Sequence, residues 1–285
     1  MTILVTGATG HLGRHIVEGL LREGTEPGQI VAGGRRLDRV ADLAERGVRV
    51  VPLDYDEPAT VVDAMQGVDR VVLVSGSEFG NRVAQHSTVI DAAAAAGVEL
   101  LAYTSAPNAT DTQLVVAPEH KATEEHLVAS GVPWVMLRAG WYNENYLPSA
   151  LQAAQTGVVV SSAGAGRVAS AARVDFADAA VAVITGDGHA GRIYELTGDT
   201  AWDFAEFAAL VGELSGRAVE YRAVSPDEHA TILASAGLDE GTAGFVVAMD
   251  ANIRDGLLGH VNGELSALIG RPTTPLRVTL ATLFA

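Results

Sequence analysis

The segment that most constrains this chain is its beginning. Ile3-Leu4-Val5 is a short apolar run that leads into Gly7-Ala8-Thr9-Gly10-His11-Leu12-Gly13. Beyond it, Leu12, Ile16, Val17, Leu20 and Leu21 fall on one helical face until Gly24. A strand therefore runs through a glycine turn into a helix. Glycine at 7 permits the tight turn, glycine at 10 lets a ligand approach the backbone, and glycine at 13 lets the helix pack close to the sheet. The helix N-terminus offers free N–H groups and a partial positive charge, which suits the pyrophosphate of a dinucleotide. The GxxGxxG spacing alone also fits an ordinary glycine-rich turn. Its place at the first strand–helix turn carries the assignment.

The same unit recurs along the first half of the chain. Short apolar runs at 29–32, 48–53, 71–74, 98–103 and 134–137 read as buried parallel strands. The helical segments between them stop at Gly47, Gly67, Gly97 and Gly131, where a left-handed residue ends a helix. The expected fold is α/β, a doubly wound parallel sheet of Rossmann type. We place a dinucleotide-binding domain at 1–140. Residues 141–285 are expected to form a smaller α+β lobe packed on it and interleaved with the last part of the sheet. That lobe includes strand-like runs at 192–196 and 219–224 and helices at 203–214 and after Pro226.

The choice of dinucleotide is written at the end of the second strand. An acidic residue there holds the ribose hydroxyls of NAD. This chain reads Ala32-Gly33-Gly34-Arg35-Arg36-Leu37, with no acid before Asp38. The glycines leave room, and Arg35 can pair with a 2′-phosphate, which points to NADP(H). The alternative is a pair of solvated surface arginines. Asp54 after the third strand is a candidate for the adenine amine or for capping the next helix.

Composition removes several functions. The 285 residues carry a formal net charge of −16, which disfavours nucleic acid and anionic membranes as partners. There is no cysteine, so disulfides, thiolate nucleophiles and cysteine-ligated metals are excluded. No histidine–carboxylate spacing suggests a metal site, and none is expected. Neither a signal peptide nor a membrane-length apolar stretch is evident, so a cytoplasmic location is expected. The oligomeric state is left open, a homo-oligomer included.

Further segments carry a resemblance. Ser75-Gly76-Ser77-Glu78 follows the fourth strand, and Ala102-Tyr103-Thr104-Ser105 ends the fifth. Glu119-His120-Lys121-Ala122-Thr123-Glu124 lies on the next helix, and Arg138-Ala139-Gly140-Trp141-Tyr142-Asn143-Glu144-Asn145-Tyr146 follows the sixth strand. With Ala169-Ser170-Ala171-Ala172-Arg173-Val174-Asp175 and Tyr194-Glu195-Leu196-Thr197-Gly198, the chain resembles the NmrA-like atypical short-chain dehydrogenases over nearly its whole length. Within that group it is similar to the quinone and triphenylmethane reductases. The resemblance implies an NADPH-dependent enzyme that passes hydride to quinones or similar acceptors without flavin. It implies pyrophosphate contacts from Gly7 to Gly13 and a 2′-phosphate contact from Arg35. Ser75, Gly76 and Ser77 would line the ribose, and the backbone of Gly140, Trp141, Tyr142, Asn143, Glu144 and Asn145 would lie beside the nicotinamide. Gly76 and Ala139 are small departures from the family pattern, and the first removes one candidate hydroxyl contact.

Most short-chain dehydrogenases use a Tyr-x-x-x-Lys pair to move a proton. No tyrosine here has lysine four positions on, and Lys121 is the only lysine. Carbonyl–alcohol chemistry and sugar epimerisation are thereby disfavoured. A quinone has no need of the pair, because positioning can supply most of the rate. Lys121 is a candidate to stabilise the product anion, or it pairs with Glu124 or Glu125 on its own helix. Tyr142, Asn143 and Tyr146 are candidates to donate to an acceptor oxygen, and Trp141 to stack on a flat ring. His86 reads as structural. The other functional class to weigh is a non-catalytic NADP(H) sensor that acts through a protein partner.

Overall fold

The computed structural model describes residues 1–284. Its strands, in chain order, are β1 (Ile3–Val5), β2 (Ile30–Gly34), β3 (Arg49–Pro52), β4 (Arg70–Leu73), β5 (Leu100–Ser105), β6 (Trp134–Ala139), β7 (Val158–Ser161), β8 (Arg167–Val168), β9 (Arg192–Leu196), β10 (Trp202–Asp203) and β11 (Glu220–Ala223). Seven of them form one parallel sheet in the order β3-β2-β1-β4-β5-β6-β9. β1, β2 and β5 are buried along their whole length, as parallel strands covered on both faces must be. The order reverses at β1, whose Val5 is in register with Ala32 of β2 and Val72 of β4. Such a switch point leaves a crevice beyond the strand C-termini, where open α/β sheets bind ligands. The helix-ending glycines 24, 47, 67, 97 and 131 all take positive φ.

The chain divides into two compact units, and neither is one continuous stretch. The first comprises residues 1–110, 118–139 and 173–196, and the second residues 111–117, 140–172 and 197–285. Arg192–Leu196, assigned above to the later lobe, is instead the sheet's edge strand beside β6. The helix before it, Arg173–Thr185, packs on the first helix, His11–Arg22. Gly19 permits their close approach, because a Cβ there would stand 2.9 Å from Val181 Cγ2.

The core of the first unit is aliphatic, with Leu4, Val31, Val71, Ile90 and Leu101 around Tyr103. The second unit is centred on aromatics. Tyr146 meets Trp202 edge-on at 4.6 Å between centroids, and Trp202 stacks on Phe207 at 5.5 Å. Buried Asp250 accepts hydrogen bonds there from Ser161 Oγ (2.9 Å), Ser162 N (2.6 Å) and Ser162 Oγ (3.0 Å). No helix of the described residues is long and apolar enough to cross a membrane.

Candidate functional site

The glycine loop is shaped by three different demands. Gly7 adopts φ +60°, a left-handed turn that the loop needs on leaving β1. Ala8 N–H then bonds Gly33 O at 2.9 Å and ties the loop to β2. A Cβ at Gly13 would stand 2.4 Å from Gly7 O and 2.8 Å from Ala8 Cα, so the helix rests directly on the loop backbone. At Gly10 a Cβ would meet only Gly7 O, at 3.2 Å, with nothing else within 4 Å. Gly10 is also the N-cap of the first helix, and no side chain caps it. The first-turn amides, those of His11, Leu12 and Gly13, are therefore left for a ligand. Open amides under a position with no side chain are a cradle that a pyrophosphate fits.

The end of β2 differs from the expectation in one respect. Gly33 and Gly34 do not leave space for a ligand. A Cβ at Gly33 would strike Leu53 Cδ1 at 2.7 Å, and one at Gly34 would strike Thr9 Oγ1 at 2.7 Å. These glycines admit the protein's own side chains and let the phosphate loop lie against β2. Arg35 is exposed at this edge, and its Nη1 donates to Glu78 Oε1 at 2.9 Å. Asp54 caps no helix. Its Oδ1 accepts from Asp56 N–H at 3.2 Å, and its own N–H bonds Thr60 Oγ1 at 3.0 Å, so it organises the turn after β3.

The segment after β4 is fastened from several sides. Ser75 N–H donates to Thr104 Oγ1 at 2.9 Å. Gly76 N–H donates to His86 Nε2 at 3.1 Å, while Arg82 Nε donates to Gly76 O at 2.9 Å. Because His86 Nε2 accepts, its Nδ1 carries the proton and donates to Thr123 Oγ1 at 3.2 Å. Burial, with His120 and Arg82 nearby, pushes the His86 pKa down to about 3, so the ring stays neutral. Arg82 is itself paired with Glu119 at 2.8 Å. A side chain at Gly76 would point inward to Gln85 Oε1 (3.3 Å), Tyr55 and His86. Ser77 is exposed.

A closed ring of hydrogen bonds joins this segment to the phosphate loop. Val74 N–H donates to Thr6 Oγ1 (3.0 Å), Thr6 Oγ1 to Tyr55 Oη (2.5 Å), and Tyr55 Oη to Val74 O (2.8 Å). Tyr55 and Arg82 stand outside the motifs of the sequence, and Glu78 stands in one without a role of its own. Arg82 carried a signal, since with Gln85 and His86 it puts three polar residues on the buried face that Val89 and Ile90 continue. Tyr55 and Glu78 carried none, because their partners lie far along the chain.

Lys121 is exposed and makes no ion pair among the described residues. Glu124, offered as its partner, is buried against Arg138, with Nη2 to Oε2 at 2.6 Å. Arg138 also binds Glu195 at 2.9 Å and Thr110 Oγ1 at 3.1 Å, and Ser105 Oγ donates to Glu124 at 2.6 Å. This buried cluster fastens the ends of β5 and β6.

In the second unit, residues 141–143 run beside Ala171. Ala171 N–H donates to Trp141 O (3.1 Å) and Asn143 N–H to Ala171 O (2.8 Å). The Asn143 side chain is fully buried and fully used. Its Nδ2 donates to Thr274 O (3.0 Å) and Thr279 Oγ1 (3.1 Å), and its Oδ1 accepts from Ser170 Oγ (2.6 Å). It cannot also donate to an acceptor, contrary to expectation. Tyr146 is core as well, with its hydroxyl buried and unpaired among the described residues. Trp141 packs against the second unit's core, while Tyr142 and Glu144 are half-buried and Asn145 is exposed. Ser162, His229 and Asp250 are not a catalytic relay. His229 turns the same nitrogen, Nδ1, to Asp250 (2.9 Å) and Ser162 (3.4 Å), whereas a relay uses both ring nitrogens. No group of three or more potential metal ligands is found among the described residues.

Comparison with known proteins agrees with this geometry. A family model described as NAD(P)H-binding matches residues 7–187. Quinone oxidoreductase 2 of Escherichia coli is 44% identical over 283 residues, covering 99% of this chain and 98% of that one. The crystal structure of the NADPH-dependent quinone oxidoreductase from Escherichia coli, complexed with NADPH, is similar with a TM-score of 0.96 at 43% identity, covering 100% of both chains. The triphenylmethane reductase of Citrobacter sp., complexed with NADP(H), has a TM-score of 0.93 at 33% identity, covering 99% of each chain. The open helix terminus, the absent acid after β2 and these full-length likenesses together assign the chain to the NAD(P)H-binding, NmrA-like family of oxidoreductases.

Proposed function

We propose that the chain is an NADPH-dependent reductase that delivers hydride to a quinone or a similar conjugated, electron-poor acceptor, without flavin or metal. The observation that carries this is the full-length likeness to quinone oxidoreductase 2 of Escherichia coli and to the crystal structure of that NADPH-dependent enzyme complexed with NADPH. The missing Tyr-x-x-x-Lys pair supports it from the chain's own residues.

When bound, NADPH supplies the hydride. The protein's part is to hold and orient. The open amides of the first helix are suited to the pyrophosphate, and Arg35 to the 2′-phosphate. Ser75, fastened through Thr104, offers a fixed edge to the ribose. The backbone of residues 140–145 is our assignment for the nicotinamide end, with the half-buried Tyr142 as the remaining side-chain candidate toward the acceptor. Trp141, Asn143 and Tyr146 serve the second unit's interior instead. No residue is asked to donate a proton. The anion first formed from a quinone is delocalised and takes its proton from water.

The test is to follow loss of NADPH absorbance with a panel of quinones and with simple ketones, using flavin-free, chelator-treated protein. Turnover with quinones but not with ketones is expected. Protein that binds NADPH yet reduces no quinone overturns the proposal in favour of a redox sensor.

A further inference from the structure

Arg35 is already occupied. Its guanidinium donates to Glu78 Oε1 at 2.9 Å, although Arg35 is 60% exposed and Glu78 38%. An exposed acid is usually free to swing, but this one is held. Its second oxygen, Oε2, accepts from Gln85 Nε2 at 2.9 Å, and Gln85 is only 3% exposed. Gln85 also donates to Asp56 Oδ2 at 3.0 Å, which brings a second carboxylate to the same amide. Glu78 lies in the segment after β4 and Arg35 directly after β2, with β1 between those strands. The pair thus reaches across two strand spacings, roughly 10 Å, past the end of β1.

We propose that Glu78 competes with the cofactor's 2′-phosphate for Arg35 and so sets how strongly this protein prefers NADPH to NADH. The proposal rests on the reading of Arg35 as the 2′-phosphate contact. A 2′-phosphate is an anion arriving at a cation that already has a carboxylate partner. To bind, it displaces Glu78 or shares Arg35 with it at close range, and both oppose binding. Glu78 keeps its bond to Gln85 when displaced, so the exchange does not strand it. NADH brings a hydroxyl in place of the phosphate and leaves the Arg35–Glu78 pair intact. The Gln85 hydrogen bond and the Arg35 charge both hold the Glu78 carboxyl below its ordinary pKa, so the competing anion persists at neutral pH.

The experiment is calorimetric titration of wild type, Glu78→Gln and Arg35→Ala with 2′,5′-ADP, 5′-AMP, NADPH and NADH. Glutamine keeps the size of Glu78, removes its charge and can accept only one of its two hydrogen bonds, from Arg35 or from Gln85. Glu78→Gln should tighten 2′,5′-ADP and NADPH about three- to tenfold and move 5′-AMP and NADH less than about twofold. Glu78→Ser, as a second variant on the exposed segment, should shift them in the same direction. Unchanged or weaker 2′,5′-ADP binding in both folded variants overturns the competition, and weaker binding makes Glu78 an orienting partner of Arg35. Equal tightening of 5′-AMP overturns it too, since the effect would then not involve the 2′-phosphate. Arg35→Ala tests the underlying reading separately. If it fails to weaken 2′,5′-ADP, the assignment of Arg35 falls, and the competition with it.

Discussion

Two glycines of one motif should fail in opposite ways when they are filled. At Gly13 an added Cβ would lie 2.4, 2.6 and 2.8 Å from three backbone atoms of Gly7 and Ala8. Ordinary contact begins near 3.4 Å, and backbone cannot rotate aside, so the helix must retreat by about 1 Å. Overpacking of this kind costs about 1–3 kcal/mol, against which alanine regains about 1 kcal/mol of helix propensity over glycine. With backbone contacts as short as 2.4 Å the overpacking lies at the upper end, about 2–3 kcal/mol, so Gly13→Ala is expected to lose about 1–2 kcal/mol net, lowering Tm by roughly 2–8 °C for a unit of this size. At Gly10 the space is open apart from Gly7 O at 3.2 Å, so Gly10→Val costs the cap, about 1 kcal/mol, and a shift of that carbonyl by a few tenths of an ångström. Its side chain would fill the approach to the amides. Losing two hydrogen bonds to a charged phosphate, at about 1.5–3 kcal/mol each, should weaken NADPH by more than about 100-fold. Differential scanning calorimetry and NADPH titration separate the two effects. An unchanged Tm in Gly13→Ala would refute the packing argument. A folded Gly10→Val that binds NADPH normally would refute the pyrophosphate site.

Two further outcomes follow from buried groups. Burial lowers the pKa values of His86 and His120 to about 3, well below their ordinary value of 6.5. The unfolded chain therefore binds more protons between those limits, and stability should fall as pH drops from about 6.5 toward 3, by up to about 1.4 kcal/mol per pH unit for each ring. His86→Gln should flatten that decline in urea melts taken across this range, and an equally steep decline would mean His86 is not buried neutral. Asn143→Ala removes three hydrogen bonds in a fully buried site and strands their partners, so a loss of about 2–4 kcal/mol is expected in urea unfolding. A loss under about 0.5 kcal/mol would return Asn143 to the list of acceptor-facing residues.

Local patterns made much of this protein legible from its sequence. The parallel strands, the glycines that end helices and the first strand–glycine–helix turn all depend on neighbours within a few residues, as helix and strand periodicity does. The absence of an acid after β2 is equally local, and it pointed to NADP(H) before any geometry was known. Other features needed the third dimension, because the deciding partner is remote in the chain. Gly33 and Gly34 read as space for a ligand, yet Leu53 and Thr9 occupy it. Asn143 stands in an aromatic block that suggests a pocket, but Ser170, Thr274 and Thr279 take every polar atom of its side chain. Lys121 and Glu124 share a helix at pairing distance, yet Arg138 draws Glu124 into the interior and leaves Lys121 in solvent. Glu78 has no role legible in its own motif, since its meaning arises only when the order β2-β1-β4 brings it to Arg35. Periodicity reports which face of an element is apolar. It does not report which distant polar group will satisfy a buried one, because that pairing is set by packing and by the cost of leaving such a group alone.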